Sequence, residues 1–269
     1  MASETVGDAI VARLSEWGVE HLFGYPGDGI NGLLAALQRA GDRPRFIQAR
    51  HEEMSAFEAT GYAKFTGRVG VCTATSGPGA IHLLNGLYDA KLDHVGVVAI
   101  VGQQARTALG GHYQQEVDLT TLFKDVAHRY VHMATQPEQF PLLVDRALRI
   151  AMTERTVTCV IVPADLQEEP YEAPTHAFKM VPSSTGVAPP RILPDDGALA
   201  RAAEIVNAGR RLAILVGQGA RSAADLVLEV AERRGAGVAK ALLGKDVVPD
   251  DHPLVTGPIG LLGSKASDP

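Results

Sequence analysis

Apolar residues recur along the chain with two different periods. Val6, Ile10, Leu14 and Trp17 fall at helical spacing, and Gly18 stops that helix. VEHLFG (19–24) then reads as a short strand, GLLAALQRAG (32–41) as a helix ending at Gly41, RFIQA (45–49) as a strand, and HEEMSAFEATGYAKFTG (51–67) as a helix. VGVCTA (69–74), VGVVAIVG (95–102) and TVTCVIV (156–162) are β-branched runs with little alternation. That pattern belongs to strands buried on both faces, as in a parallel sheet covered by helices. QPEQFPLLVDRALRIAM (136–152) predicts a helix before the last of them. The alternation predicts an α/β, doubly wound domain over residues 1–165.

The pattern breaks at 166–195, where Pro170, Pro174, Pro182, Pro189, Pro190 and Pro194 enclose Ser183, Ser184 and Thr185. This span reads as a linker. From 196 a second alternation follows: ALARAAEIVNAG helix, RLAILVG strand, ADLVLEVAERRG helix, AGVAK strand. It predicts a second doubly wound α/β domain with a mostly parallel sheet. Two strands and two helices by residue 269 make a thin domain, so the chain is expected to be the first part of a longer protein.

Composition narrows the function classes. The chain is 46% hydrophobic and 21% charged, with net charge −6. A mildly acidic, mixed surface without runs of like charge argues against nucleic-acid binding. No segment reaches the roughly 18 apolar residues of a membrane span, and the N-terminus has no apolar signal core. Cys72 and Cys159 sit inside apolar runs and read as buried thiols rather than a disulfide or metal pair. A cytoplasmic location is expected.

Candidate chemistry gathers where strands end. GYPGDGINGL (24–33), RHEE (50–53) and TSGPGAIHLLNGL (75–87) each follow a strand. Ligands of parallel α/β sheets bind beyond strand C-termini, and a helix N-terminus there offers free N–H groups. Ordinary turns, with Asp28 as a helix cap, would look the same. Glu52 shares a helical stripe with Ala56, Ala59 and Ala63, which suits a close neighbour or a subunit interface. Glu53 lines up with Phe57 and Lys64 and reads as helix-terminus charge. GQGARSAADL (217–226) is another strand–Gly–helix turn, with Arg221 able to meet a phosphate, and TGPIGLLG (256–263) is Gly-rich and apolar. His51, His82, His94, His112 and His128 show no metal-ligand spacing, and no residue of this chain is assigned to a metal.

Taken together, GYPGDGING, RHEEMSAFEATGYAKFTG, TSGPGAIHLLNGLYDA, VVAIVGQ and YQQEVDLTTLF, in that order and separation, resemble the thiamine-diphosphate-dependent 2-oxo-acid decarboxylase family. The resemblance spans essentially the whole chain. It implies that residues 1–165 are the domain binding the cofactor's pyrimidine. It further implies that 196–269 begin the central domain carrying FAD in the pyruvate oxidase and acetolactate synthase branch. Glu52, after the His of RHE, matches the glutamate that bonds N1′ of the aminopyrimidine and so favours the tautomer able to deprotonate C2. Pro26 and Gly27 would pack near the pyrimidine, with Thr75, Gly79 and Asn85 supporting the ring and its turn. Gln115 matches a glutamine near the substrate, but Gln114 stands where the pyruvate oxidase pattern has an aromatic residue. Gly217, Gly219, Arg221, Thr256, Gly257, Ile259 and Gly260 would touch FAD.

The same resemblance implies Mg²⁺ and a diphosphate site on a C-terminal domain whose Gly-Asp-Gly motif has no counterpart here, because the GDG at 27–29 lies in the pyrimidine-side loop. The chain alone is therefore expected to be inactive. The complete protein is expected to be a homodimer or homotetramer that decarboxylates pyruvate or a related 2-oxo acid and passes electrons to FAD, then to quinone or oxygen. Membrane contact, if made, would be peripheral and through the C-terminal part. The competing readings are an acetolactate-synthase-like carboligase and a non-catalytic nucleotide-binding or assembly module. A nicotinamide dehydrogenase would need a strict dinucleotide glycine fingerprint, which is missing.

Overall fold

The computed structural model describes residues 4–174, 181–188 and 191–267. The chain forms two compact units, 1–189 and 190–269. Pro189 and Pro190, within the span read as a linker, lie outside the described residues.

The first unit runs α1 (Val6–Glu16), β1 (His21–Gly24), α2 (Asn31–Arg39), β2 (Arg45–Gln48), α3 (Glu52–Thr66), β3 (Gly70–Ala74), α4 (Pro78–Leu92), β4 (Val97–Gln103), α5 (Leu119–Phe123), β5 (Val131–Met133), α6 (Phe140–Glu154), β6 (Val157–Pro163) and α7 (Ala164–Gln167). Its six-stranded sheet has the order β2-β1-β3-β4-β6-β5, and every pairing is parallel. The non-alternating runs are explained by burial on both sides: all residues of β3, β4 and β6 are buried. Val71, Val98, Ile100 and Val160 pack with α1, α2 and α6 on one face. Cys72, Ala99, Val101 and Cys159 pack with α3, α4 and α5 on the other. Both cysteines are free, and burial pushes the Cys72 thiol up to about 12, so neither suits redox or metal chemistry.

Local signals set the ends. Thr5 and Asp8 close a capping box on α1, and Gly67 ends α3 with φ of 70°. Small residues let α3 and α4 approach closely: a Cβ on Gly86 would stand 2.7 Å from that of Ala56. The linker's expected start at 166 is corrected. Leu166 and Gln167 are buried, and Gln167 binds Gly29 O at 2.7 Å and Leu33 N at 3.1 Å, so α7 belongs to the first unit.

The second unit runs α8 (Asp196–Ala208), β7 (Ala213–Val216), α9 (Ala224–Arg234), β8 (Gly237–Lys240) and β9 (Val255–Pro258), with a parallel sheet of order β7-β8-β9. The third strand was not read from the sequence. Its four residues include a glycine and a proline, which weaken a strand signal. Lys240 is fully buried at the end of β8, where its ammonium donates to Val248 O at 3.0 Å and pairs with Asp250. Hydrogen bonds from Lys240 and then Lys245 hold the Asp250 carboxyl down at about 2. A depressed folded pKa stabilises above the ordinary carboxylate value and loses that effect as pH falls towards the folded one. Asp250→Asn is therefore expected to lower the melting temperature near neutral pH. The gap to wild type should close between about pH 4 and about pH 2. Thermal scans across that range check this, and a gap independent of pH would overturn it.

Candidate functional site

In the strand order, β1 lies between β2 and β3, and the chain reverses direction across the sheet between β1 and β3. A crevice opens beyond strand C-termini at such a switch point. The loops GYPGDG, ARHEE and TSGPG leave β1, β2 and β3 at that edge, so the topology brings together three segments that are far apart in sequence.

Contacts tie them closely. Gly29 N donates to Thr75 Oγ1 at 2.8 Å, joining the first loop to the third. A Cβ on Gly27 would lie 2.6 Å from the Thr75 side chain, and one on Gly79 would lie 2.7 Å from Thr75 Cγ2 and 3.2 Å from Glu52 Oε1. Glycine at 79 thus leaves the Glu52 carboxylate an open flank at the first turn of α4. Gly77 has φ of 62°, and a Cβ there would lie 2.6 Å from Gln115 O. The segment after β4 therefore folds back over the TSGPG turn. Gln103 Nε2 donates to Val117 O and Gln104 Nε2 to Ser76 Oγ, both at 2.9 Å, and these bonds hold that segment in place.

Glu52 is the first residue of α3 and only 8% exposed. Its Oε2 accepts from His82 Nδ1 at 3.0 Å and lies 4.0 Å from His51 Nε2. His51 caps α3 by accepting from Glu53 N at 3.2 Å, and its ring lies 4.3 Å from that of His82, centroid to centroid. Glu53 points elsewhere and accepts from Asn85 Nδ2 on α4. Ala56, Ala59 and Ala63 are buried against the sheet, so the alanine stripe is the packed face of α3, and Glu52 stands at its open end.

Pro26 is exposed on the rim, and Gln115 is exposed with φ of 63°. Thr75, Gly27, Gly79 and Glu52 converge at one point, whereas Asn85 reaches Glu53 instead. His82, Gln103 and Gln104 were missed by sequence reasoning. The only signal for His82 was a polar residue one turn into the helix after TSGPG. The histidine spacing carried no metal pattern, yet the fold brings ligand atoms of His51, Glu52 and His82 within 4.8 Å of one another.

In the second unit, Gly217, Gly219 and Gly260 have nothing within 4 Å of where a Cβ would stand, so backbone is open to a ligand at those turns. Arg221 pairs with Asp246 at 3.0 Å. Thr256 Oγ1 lies 2.7 Å from Ser267 Oγ, and Gly257, with φ of 108°, abuts Ser264. Ile259 is 38% exposed. Among the described residues, no helix is long and apolar enough to cross a membrane.

Residues 4–122 match the family described as thiamine pyrophosphate enzyme, N-terminal TPP binding domain, and residues 199–268 match the thiamine pyrophosphate enzyme central domain. The Bacillus subtilis protein YdaP is 39% identical over 267 residues, 98% of this chain and 45% of that one. A pyruvate oxidase of Lactiplantibacillus plantarum is 34% identical, over 97% of this chain and 43% of its own length. An acetolactate synthase of Arthrospira platensis is 33% identical, over 95% and 44%. The chain thus spans less than half the length of these relatives.

Proposed function

The chain belongs to the thiamine pyrophosphate enzymes, and from that premise we propose that it is part of a thiamine-diphosphate-dependent enzyme decarboxylating pyruvate or a related 2-oxo acid. In this reading the electrons pass to FAD and then to quinone or oxygen. The observation that carries it is the Glu52 carboxylate: nearly buried, at the switch-point edge, with a side-chain-free flank at Gly79. That arrangement fits an aminopyrimidine. A carboxylate there can share a proton with a ring nitrogen, and Gly27, Thr75 and Gly79 leave backbone close at hand. Bound thiamine diphosphate supplies a carbon nucleophile and an electron sink for decarboxylation. Glu52 would hold the proton at N1′, Pro26 and Gly27 would flank the ring, and Asn85 would act from α4 by fixing Glu53 of α3. Gln115 would meet the substrate from the segment that folds back over the TSGPG turn.

The open glycines at 217, 219 and 260 fit close approach of a dinucleotide, with Thr256, Gly257 and Ile259 completing the FAD contact. Arg221 would exchange Asp246 for a phosphate. Mg²⁺ and the diphosphate are assigned to a further domain, and the working form to a cytoplasmic homodimer or homotetramer. A second reading, carboligation of two oxo acids, is favoured by Gln114 and by the acetolactate synthase relative. A non-catalytic module gives no account of the carboxylate kept at the head of the alanine stripe.

The test is the complete enzyme with pyruvate, thiamine diphosphate and Mg²⁺. Cofactor-dependent carbon dioxide release with reduction of a quinone dye is expected. Acetolactate in place of dye reduction selects the second reading, and no release from any 2-oxo acid overturns both. Arg221→Ala is expected to lower the flavin retained through purification, and unchanged flavin stoichiometry removes Arg221 from that site.

A further inference from the structure

We propose that His51, Glu52 and His82 form a binding site for a divalent transition metal such as Zn²⁺, and that metal and thiamine cofactor exclude one another there. The second half rests on the reading of Glu52 given above, whereas the metal site itself does not. Two imidazole nitrogens and one carboxylate oxygen lie within 4.8 Å of one another. They match the His₂Glu set that holds zinc with one position open. For tetrahedral bonds of about 2.0–2.1 Å, ligand atoms stand about 3.4 Å apart. The measured separations from Glu52 Oε2, 3.0 Å to His82 Nδ1 and 4.0 Å to His51 Nε2, bracket that value.

The histidine side chains are 46% and 42% exposed, so an ion reaches them from solvent, while the carboxylate behind them is nearly buried. Mg²⁺ prefers six oxygen ligands, so this nitrogen-rich set does not compete for the cofactor's own metal. Binding rearranges protons without a net loss from neutral rings. At His82 the proton now given to Glu52 from Nδ1 moves to Nε2. At His51 it moves to Nδ1, which ends the cap on Glu53 N. Metal on Oε2 draws electron density from the carboxylate, so Oε1, the oxygen that faces Gly79, loses the basicity that sharing a proton with N1′ requires.

Titration of the 269-residue chain with Zn²⁺ by calorimetry, and with Co²⁺ by visible absorption, tests the site. One equivalent is expected, with the intense cobalt bands of tetrahedral coordination. His51→Ala and His82→Ala should each weaken binding by about tenfold or more, and His128→Ala should not. The cobalt spectrum of the unmutated chain keeps the result readable if a variant misfolds. Absent stoichiometric binding, octahedral cobalt, or binding untouched by both substitutions overturns the site. In the complete enzyme, zinc inhibition should be relieved by raising thiamine diphosphate. Zinc that binds undiminished beside saturating cofactor overturns the exclusion, and with it the placement of the cofactor on Glu52, while leaving the metal site standing.

Discussion

In the complete enzyme, Glu52→Gln is expected to lower hydrogen–deuterium exchange at thiamine C2 by about a hundredfold or more, while Glu53→Gln largely spares it. The two side chains are neighbours in sequence but not in environment. Glu52 Oε1 faces Gly79 across a gap that any side chain at 79 would fill, and its other oxygen is held by His82. An amide at 52 keeps the size of the group but cannot take up and return a proton, so the ring nitrogen loses its partner. Glu53 only accepts from Asn85, and the amide oxygen of glutamine can do the same. Exchange measured by quenching and NMR separates activation of the cofactor from later steps. Equal loss in both variants would overturn the assignment to Glu52.

That distinction was visible in the sequence because a helix repeats every 3.6 residues. Glu52 with Ala56, Ala59 and Ala63 defines a face, and all three alanines are buried. The convergence of three loops was also visible, since consecutive strands of a parallel sheet end on one edge. What escaped notice depended on partners remote in sequence. His82 meets Glu52 across 30 residues, and nothing local marks either for the other. β5 is three residues at a sheet edge, half-exposed, and too short to show a period. The start of the proline-rich span looked like connection because its composition is that of a linker. Its burial comes from Leu166 and Gln167 filling a gap beside α2, which no window of sequence reports. Asp145 is an anomaly readable in the sequence: an acid among Phe140, Leu143, Val144, Ala147, Leu148 and Ala151 on the buried face of α6.

Replacing that acid is expected to be the most destabilising polar substitution in the first unit. Asp145 has no exposed surface, and its two oxygens receive Arg13 Nε at 2.8 Å, Arg13 Nη2 at 2.6 Å, Trp17 Nε1 at 2.7 Å and the Ser183 hydroxyl. The bidentate bond from Asp145 raises the Arg13 pKa above its ordinary value. Asp145→Ala removes the bidentate partner of that guanidinium, whose side chain is 19% exposed and keeps only Glu16 and Ser183 O, and leaves the indole N–H unpaired. Breaking a buried pair on one side costs about 3–5 kcal/mol, and the partial exposure of Arg13 points to about 3. Urea unfolding should show a lower midpoint at unchanged slope. Removing both charges in Arg13→Met/Asp145→Leu should recover much of the loss, because an apolar pair carries no desolvation penalty. The same network holds the chain beyond α7: Arg13 Nη2 donates to Ser183 O at 3.1 Å and Arg149 Nη2 to Ser184 O at 2.7 Å. Asp145→Ala should therefore speed proteolysis near Ser183 under native conditions, and the double variant should not restore protection there, since it restores packing but not the bonds to Ser183. A single variant within experimental error of wild type in urea would show that water and the bond Arg13 Nη1 already makes to Glu16 at 2.6 Å satisfy the guanidinium, and that the buried acid does not hold α1 to α6.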